Sequence, residues 1–166
     1  MTAVASKSLN TRSALLRTIV LGGLIVGIAD TIVYHGIVSS LIEGNPLTSV
    51  YQFLASGALG MAAFEGGFGT VLLGVFFHLL VSFVVAAVFI LSADRIPVLH
   101  RYAIPASLVY GVGVYIVMNM IILPLSAAPP LPPPTTSQLI MAILDHMLVV
   151  GLPLGILVRR SARSTQ

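Results

Sequence analysis

The chain has 166 residues, of which 57% are apolar and 8% charged, and its mean hydropathy is +1.06. No water-soluble domain of this size can carry such a composition on its surface, so the sequence reads as a polytopic membrane protein. The net charge of +3 comes from eight Lys and Arg that all lie outside the apolar segments, where they set topology and form no nucleic-acid surface, and the lack of cysteine excludes disulfides and thiolate metal sites.

Residues 1–17 are polar and carry Lys7, Arg12 and Arg17 without an acid. The apolar run that follows, 18–41, is far longer than the roughly 7 to 15 residues of a secretory signal core, so it is read as a retained first transmembrane helix. Further helices are expected at about 66–93, 103–125 and 139–158, each long enough to cross a ~30 Å hydrocarbon core at 1.5 Å per residue. The fold class is therefore all-α, a four-transmembrane-helix bundle over 18–158 with short tails at 1–17 and 159–166. Arg95 and Arg101 fall between the second and third helices, and Arg159, Arg160 and Arg163 follow the fourth. Four crossings place all eight basic residues on one face, which makes both termini cytoplasmic.

The first outer loop, 42–65, is too apolar for a simple connector. Asn45 is expected to cap a helix with Pro46 in its first position, and Leu47, Val50, Tyr51, Leu54 and Ala58 then recur at helical spacing. Two readings stay open: an interfacial amphipathic helix, or a short re-entrant piece that Gly57, Gly60, Gly66 and Gly67 allow to approach the bundle closely. The second outer loop, 126–138, contains Pro129, Pro130, Pro132, Pro133 and Pro134, which predicts a stiff polyproline II strap over the bundle mouth.

Within the bundle, small and polar residues share helix faces. Gly23, Gly27, Asp30 and Tyr34 line one face of the first helix, Gly74, His78, Ser82 and Ala86 one of the second, and Ser107, Gly111, Tyr115 and Asn119 one of the third. In the fourth, His146 follows Ala142 by four residues, with Asp145 about 100° away. Counted from the outer helix ends, Asp30, His78, Asn119 and His146 lie at matching depth, about 10 to 17 Å below the surface. They form the candidate intramembrane polar site, with Tyr34, Ser82, Tyr115 and Asp145 in support. Ionisable residues in hydrocarbon are costly and mark sites or relays. His78 and His146 enter from parallel helices and can share a metal, a haem or a proton, with Asp30 or Asp145 completing the set; two histidines and a carboxylate suit Zn, Fe, Mn or Ni. His35 is placed at the outer interface with Glu65, and His100 beside Arg101 in the cytoplasmic loop. The competing reading is that these groups are interhelical hydrogen-bonding residues with no ligand.

No phosphate loop, HExxH or GxSxG is present. The chain after Gly22 resembles a family of small four-helix bacterial inner-membrane proteins of unassigned function. The resemblance rests on Ala55-Ser56-Gly57, Leu59-Gly60, Gly66-Gly67, Leu73-Gly74 with His78, Tyr110-Gly111, Met118-Asn119, Pro124-Leu125-Ser126, and His146 with Val150-Gly151-Leu152-Pro153. It is more distantly similar to YagU-type inner-membrane proteins. The resemblance implies a bacterial inner-membrane location and four crossings, and it brings no functional residues. Three functions are open: binding or passage of a small cation or proton at the polar site; a non-catalytic membrane subunit or assembly factor; and a redox protein using a His-bound metal or haem. The expected partner is the lipid bilayer, with a homodimer or larger complex as the working unit because one bundle is small for a transporter.

Overall fold

The structure, a computed structural model, describes residues 2–163, with side-chain surroundings for 12–161. Lys7 and Arg163, two of the residues used for topology, have side chains outside that range. Among the described residues the fold is all-helical. Helix α1 (Thr2–Asp30) continues without a break into a π-helical stretch, Thr31–Ile42. Helix α2 (Leu47–Leu59) ends in a 3-10 turn, Gly60–Phe64, and α3 (Gly67–Arg95) is followed by the short α4 (Pro97–Arg101). Helix α5 (Ala103–Val117) passes through a second π-helical stretch, Met118–Ile122, into α6 (Leu123–Leu125). Helix α7 (Thr136–Asp145) runs through a third, His146–Gly151, into α8 (Leu152–Arg163).

Among the described residues, five helices are long and apolar enough to cross a membrane: Arg12–Ile42, Leu47–Phe64, Gly67–Arg95, Ala103–Leu125 and Thr136–Ser161. Four of them cover the expected crossings. The additional one, Leu47–Phe64, is the segment anticipated as an interfacial or re-entrant helix. The first helix begins at Thr2, so residues 2–17 extend it as helix and do not form a separate coil.

Local chemistry explains the boundaries. Ile96 precedes Pro97 and is extended, at φ −116° and ψ 98°, because a residue before proline disfavours the helical region; α3 stops there. Thr135 and Gln138 form a reciprocal capping box that starts α7 directly after the proline segment. Residues 129–135 carry no helix. The start of α2 differs from the sequence reading. Pro46 stays outside the helix at φ −55° and ψ 135°, and no side chain caps it. Asn45 instead turns back: its backbone N–H donates to the Ser39 carbonyl at 3.0 Å and its amide to Ser39 Oγ at 3.3 Å. The last turn of the preceding helix leaves carbonyls without donors, and Asn45 supplies one.

Glycines set the closest helix contacts. A Cβ on Gly74 would lie 1.9 Å from the Tyr51 carbonyl oxygen, one on Gly111 2.0 Å from that of His146, and one on Gly151 2.2 Å from that of Ser107. Backbone therefore meets backbone where α2 crosses α3 and where α5 crosses the 146–151 stretch, as small-residue interfaces in membranes permit. One end of the bundle is an apolar core of Val26, Ala86, Phe89, Ile90, Leu154 and Val158. Arg101 and Arg159 line a single crevice at that end with His100 and Tyr102, so the α3–α5 connection and the end of α8 share one face. Tyr110 fastens α5 to α3 by donating to the Val85 carbonyl at 2.8 Å.

Candidate functional site

Asp30 closes the regular part of the first helix, and its carboxylate is the centre of a buried polar group. Its Oδ2 lies 3.6 Å from His35 Nε2 and 3.7 Å from His78 Nε2. Asp30, His35 and His78 each offer one ligand atom, and the three atoms lie within 4.8 Å of one another. All are shielded: the His35 and His78 side chains are 9% and 10% exposed and that of Asp30 12%. The two imidazoles stand 4.8 Å apart between ring centroids, and Tyr51 from α2 covers both, edge-on at 5.4 Å from His35 and 6.3 Å from His78. The Tyr51 hydroxyl donates to Thr31 Oγ1 at 3.0 Å, which ties the cover to the residue after Asp30.

His35 is the member that the sequence reading put at the interface. Regular α-helical periodicity sets it about 140° from Asp30 and sets Tyr34 about 40° away, which favours Tyr34 as the inward residue. From Thr31 onward, however, the helix is π-helical, so backbone pairing runs to the fifth residue and His35 comes over Asp30. The available signal was simpler than periodicity: an ionisable side chain in an apolar run is a site candidate by itself. Tyr34 still contributes, with its ring edge-on 6.1 Å from that of His35.

A second set lies on the far side of Asp30. The Asp145 carboxyl faces that of Asp30 within side-chain hydrogen-bond reach. A hydrogen bond between them needs a proton on one of the two carboxyls, and as two carboxylates they leave both oxygens of Asp145 buried without a partner. His146 Nδ1 is 3.6 Å from Asp145 Oδ2, beyond hydrogen-bond length, and 2.9 Å from the Ala142 carbonyl, to which it donates. Tyr115 packs edge-on against the His146 ring at 5.4 Å. His146 thus belongs to the same polar region through Asp145, but it is not one of the three residues whose ligand atoms converge. The sequence reading pairs His78 with His146; among the described residues it is His35 whose ligand atom converges with those of Asp30 and His78.

Asn119 stands apart. It is exposed, and its amide donates to the Tyr115 carbonyl of its own helix at 3.0 Å. The four-residue stripe of Ser107, Gly111 and Tyr115 ends where the π-helical stretch begins at Met118, and the change of pitch turns Asn119 outward. Ser82 is buried beside Gly27 and donates to the His78 carbonyl at 2.9 Å, so it supports the site through the backbone.

The donor set decides what the group can do. Two imidazole nitrogens and one carboxylate oxygen suit Zn, Fe, Mn or Ni, and they suit Ca or Mg poorly. Tetrahedral ligation at bonds near 2.1 Å needs ligand atoms about 3.4 Å apart, a contraction of up to about 1.4 Å from the 4.8 Å within which the three atoms lie. Buried polar atoms without partners call for one, and His35 Nδ1 is in that state as well as Asp145. Against these, His78 Nε2 lies 3.0 Å from the Gly27 carbonyl, a hydrogen bond that ligation through Nε2 would break. Comparisons with protein-family models, curated proteins and solved structures found no match to this chain.

Proposed function

We propose that this chain is an integral protein of the bacterial inner membrane that binds a small cation, and offers it passage, at Asp30, His35 and His78. The carrying observation is the convergence of three buried ligand atoms within 4.8 Å, drawn from two helices and roofed by Tyr51 of a third. A bare ion fits this reading better than a haem, because the two imidazoles converge on one carboxylate from adjacent positions and do not face each other across a planar space. The expected metal is Zn, Fe, Mn or Ni.

In this reading four helices cross the bilayer and Leu47–Phe64 does not. Four crossings keep every basic residue on the cytoplasmic face with both termini, whereas a fifth crossing would separate Arg12 and Arg17 from Arg95 and Arg101. The contacts of α2 support a cap: Tyr51 bonds Thr31 near its start, and the Gly57 carbonyl accepts from Ala127 N–H at 2.9 Å near its end. It spans from the first helix to the segment after α6, above the polar group. The proline segment then acts as a strap leading to α7. The resemblance to small four-helix inner-membrane proteins agrees with this topology.

The test is the metal content of the detergent-purified protein by elemental mass spectrometry, with the His35→Leu and His78→Leu variants beside it. Near-stoichiometric metal in the parent, lost in both variants with the helical circular dichroism retained, is the expected result. Iron would call for an optical spectrum to test haem. A metal-free parent that also takes up none when Zn²⁺ is supplied would sink the reading. It would favour a non-catalytic subunit or assembly factor whose polar residues hold helices together, the role that the His78 bond to the Gly27 carbonyl already serves.

A further inference from the structure

The end of the bundle away from the polar site carries a basic groove. Gly155 sets its position: a Cβ there would lie 2.8 Å from the Ala103 carbonyl oxygen, so the backbones of α5 and α8 meet at the start of one helix and near the end of the other. Arg159 follows Gly155 by four residues and so shares its face of α8, toward the connection that carries Arg101. Arg101 and Arg159 line a crevice of about 230 Å³ with His100, Tyr102 and Ile104, several times the roughly 30 Å³ of one water molecule. Ile104 and Arg159 also line an adjoining crevice of about 290 Å³ with Ile156 and Arg160. The two therefore form one groove. Ile104 stands at the start of the apolar span Ala103–Leu125, and Ile156 lies about one turn before Arg159, so charge sits at the mouth and apolar surface beneath it.

The chemistry of the groove selects its occupant. No aspartate or glutamate lines either crevice, and among the described residues Arg101 and Arg159 have no carboxylate partner. The Arg101 guanidinium lies over the Tyr102 ring, 5.4 Å from its centroid. Guanidinium groups stay charged at any physiological pH, and their planar forks match the oxygens of a phosphate. An anion with an apolar tail satisfies both parts of the groove, and a membrane supplies one. We propose that the groove holds one anionic phospholipid of the phosphatidylglycerol class, with its phosphate between Arg101 and Arg159 and an acyl chain over Ile104 and Ile156. Basic pockets between transmembrane helices at a cytoplasmic surface bind such headgroups. A zwitterionic lipid fits less well, because its ammonium group would meet arginines and find no carboxylate. This inference rests on the bilayer placement proposed above and is independent of the cation site.

The experiment is native mass spectrometry of the full chain in detergent, with phosphatidylglycerol, phosphatidylethanolamine of the same acyl chains, or inorganic phosphate added. The parent is compared with Arg101→Gln, Arg159→Gln and Arg17→Gln; Arg17 is exposed, belongs to the same basic face and lines neither crevice. The parent is expected to retain one phosphatidylglycerol in preference to phosphatidylethanolamine. Arg101→Gln and Arg159→Gln should each weaken that binding by about fivefold or more, the worth of one arginine near an anionic headgroup, while Arg17→Gln changes it less than about twofold. Inorganic phosphate at the lipid's concentration should displace none of it. Equal retention of the two lipids would overturn the selection by charge. Equal losses in all three variants would mean diffuse attraction to the basic face and would overturn the groove as the site, and displacement by inorganic phosphate would overturn the lipid as occupant. Metal content is measured on the same samples. A parent that keeps the lipid without metal supports this inference while removing the cation site, and one that keeps metal without lipid overturns this inference alone.

Discussion

Replacing Gly111 by alanine tests whether the polar region depends on backbone-to-backbone packing. The added Cβ would lie 2.0 Å from the His146 carbonyl oxygen, 2.7 Å from the carbonyl carbon and 3.1 Å from Met147 Cα. Ordinary contact begins at 3.4 Å, so α5 and the 146–151 stretch must separate by about 1.4 Å. No flexible side chain can yield, because every near atom belongs to the backbone. Overpacking of this kind costs about 1 to 3 kcal/mol, and a backbone clash belongs at the upper end. The separation would also draw Asp145 and His146 away from Asp30, which lies on another helix. Gly113 is the matched control, two residues along the same helix with no heavy atom near its Cβ position. Alanine there should be neutral or should stabilise by up to about 1 kcal/mol through helix propensity. Thermal unfolding in detergent, followed by circular dichroism, reads both variants. Equal melting temperatures for Gly111→Ala and the parent would refute the close approach, and so would a Gly113→Ala variant as unstable as Gly111→Ala.

Two further variants probe the cover and the strap. Tyr51→Phe removes the hydroxyl bonded to Thr31 and keeps the ring over His35 and His78, so it should cost about 1 kcal/mol in unfolding free energy with the fold intact. An unchanged stability would show that the hydroxyl is not bonded in the protein. Thr135→Ala removes the hydroxyl that accepts from the Gln138 N–H and leaves the backbone N–H of residue 135 to donate to Gln138 Oε1, which should cost about 1 kcal/mol and speed amide exchange at 136–139. Exchange unchanged there would mean that the proline segment, and not the cap, sets where that helix begins.

The amino-acid sequence alone determined the long helices and the apolar character that is compatible with a membrane protein, because both follow from composition and from runs of apolar residues that need no partner to be recognised. It also determined the buried face of α3. That helix is regular from Gly67 to Arg95, so residues four apart, Gly74, His78, Ser82 and Ala86, stay aligned. Only the tertiary structure brought His35 over Asp30, turned Asn119 outward and set Asp145, in place of His146, against Asp30. The common reason is the helix pitch. Three of the other four apolar helices contain a π-helical stretch, at Thr31–Ile42, Met118–Ile122 and His146–Gly151, and each stretch begins at or beside a polar residue, Asp30, Asn119 or His146. Periodicity read from sequence assumes one pitch throughout, so it keeps its phase up to such a stretch and loses it beyond. Which carboxyl then faces which depends on how closely the backbones approach, and that distance is set by glycines paired with carbonyls on other helices, a relation between distant parts of the chain.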